Sequence, residues 1–186
     1  MNKLKTIVVI CIILLSFNAS AKEINKILFA SVLTATSFFS HTVLHESFHV
    51  LAAKAMGGEV FLFKPYPHMY DNKLFFGRVE TENLSMAKNL FIMSAPYLMD
   101  ISIFFISDLL LKINVVNPKS YCGLSLYVVG MAAPFIDFGY NFVKGMDFEY
   151  FRNANSAMAI TSSAIGITAL IIGAYQLITR YIDVFR

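Results

Sequence analysis

The chain is dominated by long apolar segments that are separated by short polar connections. Four segments, residues 27–56, 87–111, 121–143 and 157–178, are long enough to cross about 30 Å of hydrocarbon as α-helices. A shorter apolar run at residues 6–17 precedes them. The pattern predicts an all-α membrane protein, a bundle of four to five transmembrane helices.

The polar connection at residues 59–80 differs from the others, because it contains two short runs with a β-strand pattern. Pro65, Pro67, Asp71 and Asn72 lie between these runs and favour a turn. We therefore expect a short β-hairpin directly after the first long helix.

The composition agrees with a membrane protein, since 57% of the 186 residues are hydrophobic and only 15% are charged. The lipid bilayer is the expected environment. The net charge is +3 and the basic residues are scattered, so nucleic acid is not an expected partner. Cys11 and Cys122 lie in separate apolar segments, which predicts neither a disulfide framework nor a thiolate metal site.

Residues 1–21 combine a basic start, a short apolar run and the sequence Ala19-Ser20-Ala21, which is typical of a signal peptide and its cleavage site. An uncleaved signal anchor fits the same pattern. Residues 22–186 are then a single membrane-embedded domain. A weak excess of Lys and Arg favours a cytoplasmic N-terminus, and the signal-like start favours the cytoplasmic (inner) membrane of a bacterium.

The chemistry is concentrated in His45-Glu46-Ser47-Phe48-His49, a HExxH motif. Two imidazoles four residues apart are separated by about 6 Å along a helix, so both can reach one tetrahedral zinc ion. Glu46 is rotated by about 100° from His45, beside the metal rather than on it. From there it can act as the base that takes a proton from a water that the metal activates.

The position of this motif strengthens its functional interpretation. It lies inside the apolar segment 27–56, where each ionisable residue costs about 2.5–3.5 kcal/mol on insertion scales unless it has a partner. Two histidines and a glutamate within five residues are poorly explained by chance. The structural alternative is a polar cluster that holds helices together.

A HExxH motif in a transmembrane helix, followed by a hairpin and further spans, resembles the site-2 protease family of intramembrane zinc metalloproteases. In that family the third metal ligand is an aspartate late in the chain, in a motif that runs from Asn through a short Pro/Gly turn to Asp-Gly. Residues 141–148 are similar in outline, with Asn141, Gly145 and Asp147, but they lack the prolines and have Phe148 in place of glycine. The resemblance covers residues 36–151 and implies His45, His49 and Asp147 as the zinc ligands.

Asp137 is the alternative third ligand, because it lies in the same segment at a depth similar to that of His49, about 10 Å from the helix end. Asp100 is a third option. Whichever of Asp137 and Asp147 does not bind the metal is expected to orient a histidine. His41 is about 12 Å from His49 along the helix, too far to share its ion, so it is expected to provide polar packing, an outer contact or a substrate contact.

The remaining ionisable residues are expected to be structural. His68, in the hairpin, is expected at the surface. Asp100 is central in its segment and needs a partner inside the bundle, whereas Asp108 is near enough to the helix end to reach out of the hydrocarbon.

These observations predict a zinc metalloendopeptidase that hydrolyses peptide bonds of membrane-associated proteins or peptides. The resemblance implies that the hairpin receives the substrate as an extended strand, because a helix must be unwound before it is cut. The alternative is that the hairpin is only an amphipathic connector. The alternative is a non-catalytic metal-binding membrane scaffold or a degenerate protease relative. Four histidines are too few for a membrane di-iron hydroxylase, and the lack of an internal repeat disfavours a transporter.

Overall fold

The computed structural model describes the backbone of residues 21–70, 73–144 and 146–185, and the side chains of residues 25–70, 75–143 and 148–185. The predicted signal segment, residues 1–21, lies outside the described residues except for Ala21, the first residue of a helix.

The described chain is mostly helical, with a small region of β structure after the first helix. The elements in chain order are helix α1 (Ala21–Ala55), strands β1 (Val60–Lys64), β2 (His68–Tyr70), β3 (Lys73–Phe75) and β4 (Arg78–Thr81), helices α2 (Met86–Lys112) and α3 (Tyr121–Tyr127), a π-helical turn (Val128–Ala132), and helices α4 (Ala133–Lys144), α5 (Met146–Ala154) and α6 (Ser156–Phe185).

Four helical stretches are long and apolar enough to cross a membrane, and they confirm the four predicted segments. They are Asn25–Ala55, Met86–Lys112, Tyr121–Val143 and Ser156–Phe185. The third stretch is built from α3, the π-helical turn and α4 in succession. π-Helical turns inside α-helices are frequent at functional sites, and this one lies one turn before Asp137.

The predicted hairpin is confirmed. Strand β1 pairs antiparallel with β4, with Lys64 opposite Arg78, and β2 pairs antiparallel with β3, with His68 opposite Phe75. The two strand pairs follow one another along the same hairpin. Its base is tied to the first helix, because β1 and β4 each contact α1.

Helix α1 is amphipathic in the sense opposite to that of a helix on a water-soluble protein. Its buried face carries polar side chains at every fourth position, Ser37, His41, His45 and His49. Its exposed face carries large apolar side chains, which are Leu28, Phe29, Val32, Phe39, Val43, Leu44 and Leu51. A helix that turns apolar residues outward and ionisable residues inward suits a lipid environment.

The helices pack through small residues and aromatic rings. At the end of the bundle next to the hairpin, Ala52 and Ala53 of α1 pack against Ile92 and Ala95 of α2. Where α2 meets the π-helical turn, Gly130 lies so close to Ser107 that a Cβ atom there would overlap the serine hydroxyl. Such close approaches of small residues are the usual means by which membrane helices associate.

The opposite end of the bundle contains an ion pair that the sequence analysis did not predict. Nε of Arg180 donates to Oδ1 of Asp108 at 2.6 Å, and Nη1 of the same guanidinium donates to Oδ2 of Asp183 at 2.7 Å. Asp108 is buried. A guanidinium on α6 therefore provides its partner within the protein.

Candidate metal centre

Helix α1 brings the HExxH residues together on its buried face, as the four-residue spacing predicts. His45 is 4% exposed, His49 5% and Glu46 9%. The centroids of the two imidazole rings are 5.1 Å apart, with their planes nearly perpendicular. Tyr97 of α2 covers the His45 ring edge-on, with centroids 5.4 Å apart.

The orientation of His49 is fixed by a backbone carbonyl. Nδ1 of His49 lies 2.9 Å from the carbonyl oxygen of Ile92 on α2. A carbonyl can only accept, so Nδ1 is the donor and carries the proton. In the neutral ring the lone pair is then on Nε2, which is the nitrogen that could bind a metal ion.

Two carboxylates lie near Nδ1 of His45. Nδ1 of His45 lies 2.8 Å from Oδ2 of Asp137 on α4 and 3.8 Å from Oδ2 of Asp100 on α2. A histidine with Nδ1 on a carboxylate and Nε2 on a metal is the usual arrangement in metalloproteins. The two helices α1 and α4 contact one another.

One helical turn away, His41 belongs to a second buried polar group. Nε2 of His41 lies 2.7 Å from Oδ1 of Asp100, whose side chain is 2% exposed. His41, Asp100 and Asp137 each offer one ligand atom, and these atoms all lie within 4.8 Å of one another, so this group could hold a metal ion. Its nitrogen and carboxylate donors suit a divalent transition metal.

Charge is poorly balanced in this region. Within the described part of the chain, Asp100 and Asp137 are paired with histidines and with no lysine or arginine. Two buried carboxylates are costly unless a cation is present, and imidazoles supply positive charge only when they are protonated. The arrangement thus favours binding of a proton or a metal ion.

The hairpin lies directly against Glu46. A Cβ atom on Gly77, between β3 and β4, would overlap the Glu46 carboxylate. The preceding residue, Phe76, packs edge-on against Phe38 of α1, at 5.1 Å between centroids, and against Tyr140 of α4, at 5.7 Å. The hairpin therefore covers the buried glutamate and is anchored on both sides of it.

Asp147 is carried by α5, but its side chain lies outside the described residues. Its neighbour Phe148 is buried and packs against Tyr97, with ring centroids 4.9 Å apart. Tyr97 in turn contacts His45. The aromatic contacts thus hold this part of α5 near the HExxH residues.

Three features of the site were not found from the sequence. The partnership of Asp100 with His41 needed the relative depth of two helices, although the central position of Asp100 indicated that some partner exists. The contact of Gly77 with Glu46 had a weak signal, since glycine in a strand run often marks a close approach. The contact of His49 with the Ile92 carbonyl had no signal in the sequence.

His68 stacks on Phe75 and donates to the Tyr66 carbonyl at 2.9 Å, consistent with a structural role.

Comparisons of the chain with protein-family models, with curated proteins and with solved structures find no match.

Proposed function

We propose that the protein is a membrane-embedded zinc metalloprotease that cleaves membrane-associated proteins or peptides. The observation that carries the proposal is the paired orientation of the two HExxH histidines. Nδ1 of His49 donates to the Ile92 carbonyl on α2, and Nδ1 of His45 lies 2.8 Å from Oδ2 of Asp137 on α4. This leaves Nε2 of each ring as the ligand atom, as in most protein zinc sites.

In this proposal His45, His49 and Asp147 hold the zinc ion, and Asp137 orients His45. The division of roles between the two aspartates follows from the contact of Asp137 with Nδ1 rather than Nε2 of His45. If Asp147 is not a ligand, Asp137 is the alternative. The packing of Phe148 on Tyr97 supports Asp147, because it holds α5 beside the histidines.

When bound, zinc would supply a Lewis acid that activates water and polarises the scissile carbonyl. Glu46 accepts the proton of the attacking water and delivers it to the leaving amine. Burial excludes bulk water from this carboxylate, and the anchored hairpin keeps it in place.

The hairpin also offers a way to present substrate. In the described chain β1 and β4 pair only with one another, so each has one edge without a strand partner. An extended segment can add to such an edge through main-chain hydrogen bonds. Gly77 directly precedes β4, so a segment bound at the start of that strand is close to Glu46.

A non-catalytic metal-binding scaffold is the second candidate, and the group of His41, Asp100 and Asp137 favours it. His41 is not followed by a glutamate that could act as a base, as His45 is followed by Glu46 in the HExxH motif. A metal ion held there would link α1, α2 and α4 without a role for Glu46 or His49.

The two functions are separated by measuring zinc per protein in detergent for wild type, His49→Ala and His41→Ala, together with cleavage of fluorescein-labelled casein. The protease proposal predicts about one zinc in wild type, loss in His49→Ala and retention in His41→Ala. Glu46→Gln should keep the metal and lose about 10²–10⁴-fold in cleavage rate. Loss of metal in His41→Ala but not in His49→Ala would instead support the scaffold.

A further inference from the structure

Helix α2 contains a proline in its interior, one turn after the residue whose carbonyl contacts His49. Pro96 is fully buried and lies four residues after Ile92. In an α-helix the carbonyl of Ile92 would accept from the N–H of residue 96, but proline has no N–H. The proline ring also pushes this carbonyl away from the helix axis.

The released carbonyl is in a place where water cannot satisfy it. Ile92 is 1% exposed and packs against Ala52 and Ala53 of α1. An unsatisfied buried carbonyl is unfavourable, most of all at membrane depth. His49 supplies the donor, with Nδ1 at 2.9 Å.

We infer that Pro96 is a positioning residue for the metal centre: by withholding its N–H it makes the Ile92 carbonyl the acceptor that fixes the tautomer and ring orientation of His49. This inference rests on the proposed function, because it gives Nε2 of His49 the role of metal ligand. Pro96 itself touches neither metal nor substrate. Its effect passes through one backbone oxygen.

The test compares two substitutions at position 96 that differ only in whether the backbone carries an N–H or an ester oxygen. Pro96→Ala restores the N–H at position 96, whereas lactic acid introduced at that position by nonsense suppression replaces the N–H with an ester oxygen. Both remove the proline ring. We expect Pro96→Ala to raise the Kd for zinc about 10–100-fold, as loss of other orienting partners does. The lactic acid variant should bind zinc nearly as tightly as wild type.

A second measurement does not need metal. In metal-free protein labelled with ¹⁵N-histidine, wild type and the lactic acid variant should show His49 protonated at Nδ1. Pro96→Ala should shift His49 toward the Nε2-protonated form, because the carbonyl is again bonded within α2. The absolute chemical shifts separate the two tautomers, and His49→Asn identifies the His49 signals.

Equal loss of zinc affinity in both variants would overturn the inference, since the ring rather than the missing N–H would then matter. So would wild-type affinity in Pro96→Ala, or an Nε2-protonated His49 in wild type. Failure of the proposed function is distinct: His49→Ala would keep its zinc, whatever the tautomer of His49. If Pro96→Ala does not fold, an Nε2-protonated His49 in wild type or a loss of zinc affinity in the lactic acid variant would still overturn the inference.

Discussion

Two regions of the helix bundle bury ionisable side chains, but they balance charge differently. At the end away from the hairpin, the Arg180 guanidinium holds Asp108 at 2.6 Å and Asp183 at 2.7 Å. In the interior of the bundle, Asp100 and Asp137 form ion-pair contacts only with histidines among the described residues. The first region has a permanent cation, and the second has groups whose charge depends on what is bound.

The difference indicates that one region of the helix bundle has a structural role and the other a binding role. A carboxylate held by arginine is satisfied at any physiological pH and needs nothing further. Carboxylates held by imidazoles become balanced when a proton or a metal ion arrives. We interpret the Arg180 region as a fixed helix clamp and the histidine region as a site that could bind a cation.

The clamp gives the largest expected change in stability. Arg180→Met leaves Asp108 buried without its cation, which should lower the free energy of unfolding by about 3–5 kcal/mol. Unfolding by SDS or by heat in detergent measures the loss. Zinc per folded molecule should not change, because the clamp is separate from the metal centre.

Asp183→Asn is the matched control for the clamp. Its carboxylate contacts the same guanidinium but is 42% exposed, so stability should change by less than about 1 kcal/mol. If Arg180→Met lowers the free energy of unfolding no more than this control does, the clamp is not structural. The distinction between the Arg180 region and the histidine region would then be wrong.

The contact of the hairpin with Glu46, beside the candidate metal centre, gives the next largest expected effect. Gly77→Ala places a methyl group where the Glu46 carboxylate lies, so the carboxylate must move. A displacement of about 1 Å should lower the cleavage rate about 100-fold, equivalent to about 2.7 kcal/mol, with zinc retained. Casein cleavage and zinc content measured on the same preparation provide the check.

Gly139→Ala is the control for this contact, because its added methyl group meets only Leu170 Cδ2 at an ordinary 3.5 Å. It should retain wild-type cleavage. Wild-type activity in Gly77→Ala would mean that the hairpin does not position Glu46.

The smallest expected effect tests whether the buried charge of Asp100 destabilises the metal-free protein. Asp100→Asn removes a buried charge while an amide oxygen can still accept from His41. We expect metal-free Asp100→Asn to be more stable than wild type by about 1 kcal/mol, a rise of about 2–4 °C in Tm. Its zinc affinity should fall.

Asp108→Asn makes the same substitution at the clamp and should lower Tm, because the guanidinium loses its buried carboxylate. Thermal unfolding of the two metal-free variants side by side is the measurement. Tm shifts in the same direction in the two variants would contradict the distinction between the structural Arg180 region and the histidine region.

Much of the fold could be predicted because its signals are local. The four spans follow from continuous apolar length, and the hairpin follows from two β-type runs around Pro65, Pro67 and Asn72. The Arg180–Asp108 pair could not be predicted, since it joins side chains 72 residues apart on different helices. Apolar segments carry little information about which faces of the helices meet.

The candidate site also has one part that could be predicted from the sequence and one part that could not. His45, Glu46 and His49 are recognisable because a helix repeats every 3.6 residues, so their spacing alone places them together. The assignment of Asp147 as third ligand remains a prediction from the sequence. The contact of Asp137 with Nδ1 of His45 required the relative rotation of α1 and α4.

The sequence by itself determined that the chain forms apolar helices and that one of them carries two histidines and a glutamate with metal-binding spacing. Both follow from composition and helical periodicity, which act over a few residues. Only the tertiary structure decided that Asp100 partners His41, that Gly77 lies on Glu46, and that the carbonyl released by Pro96 meets His49. These contacts depend on the depth and rotation of whole helices against one another, which packing across the bundle sets.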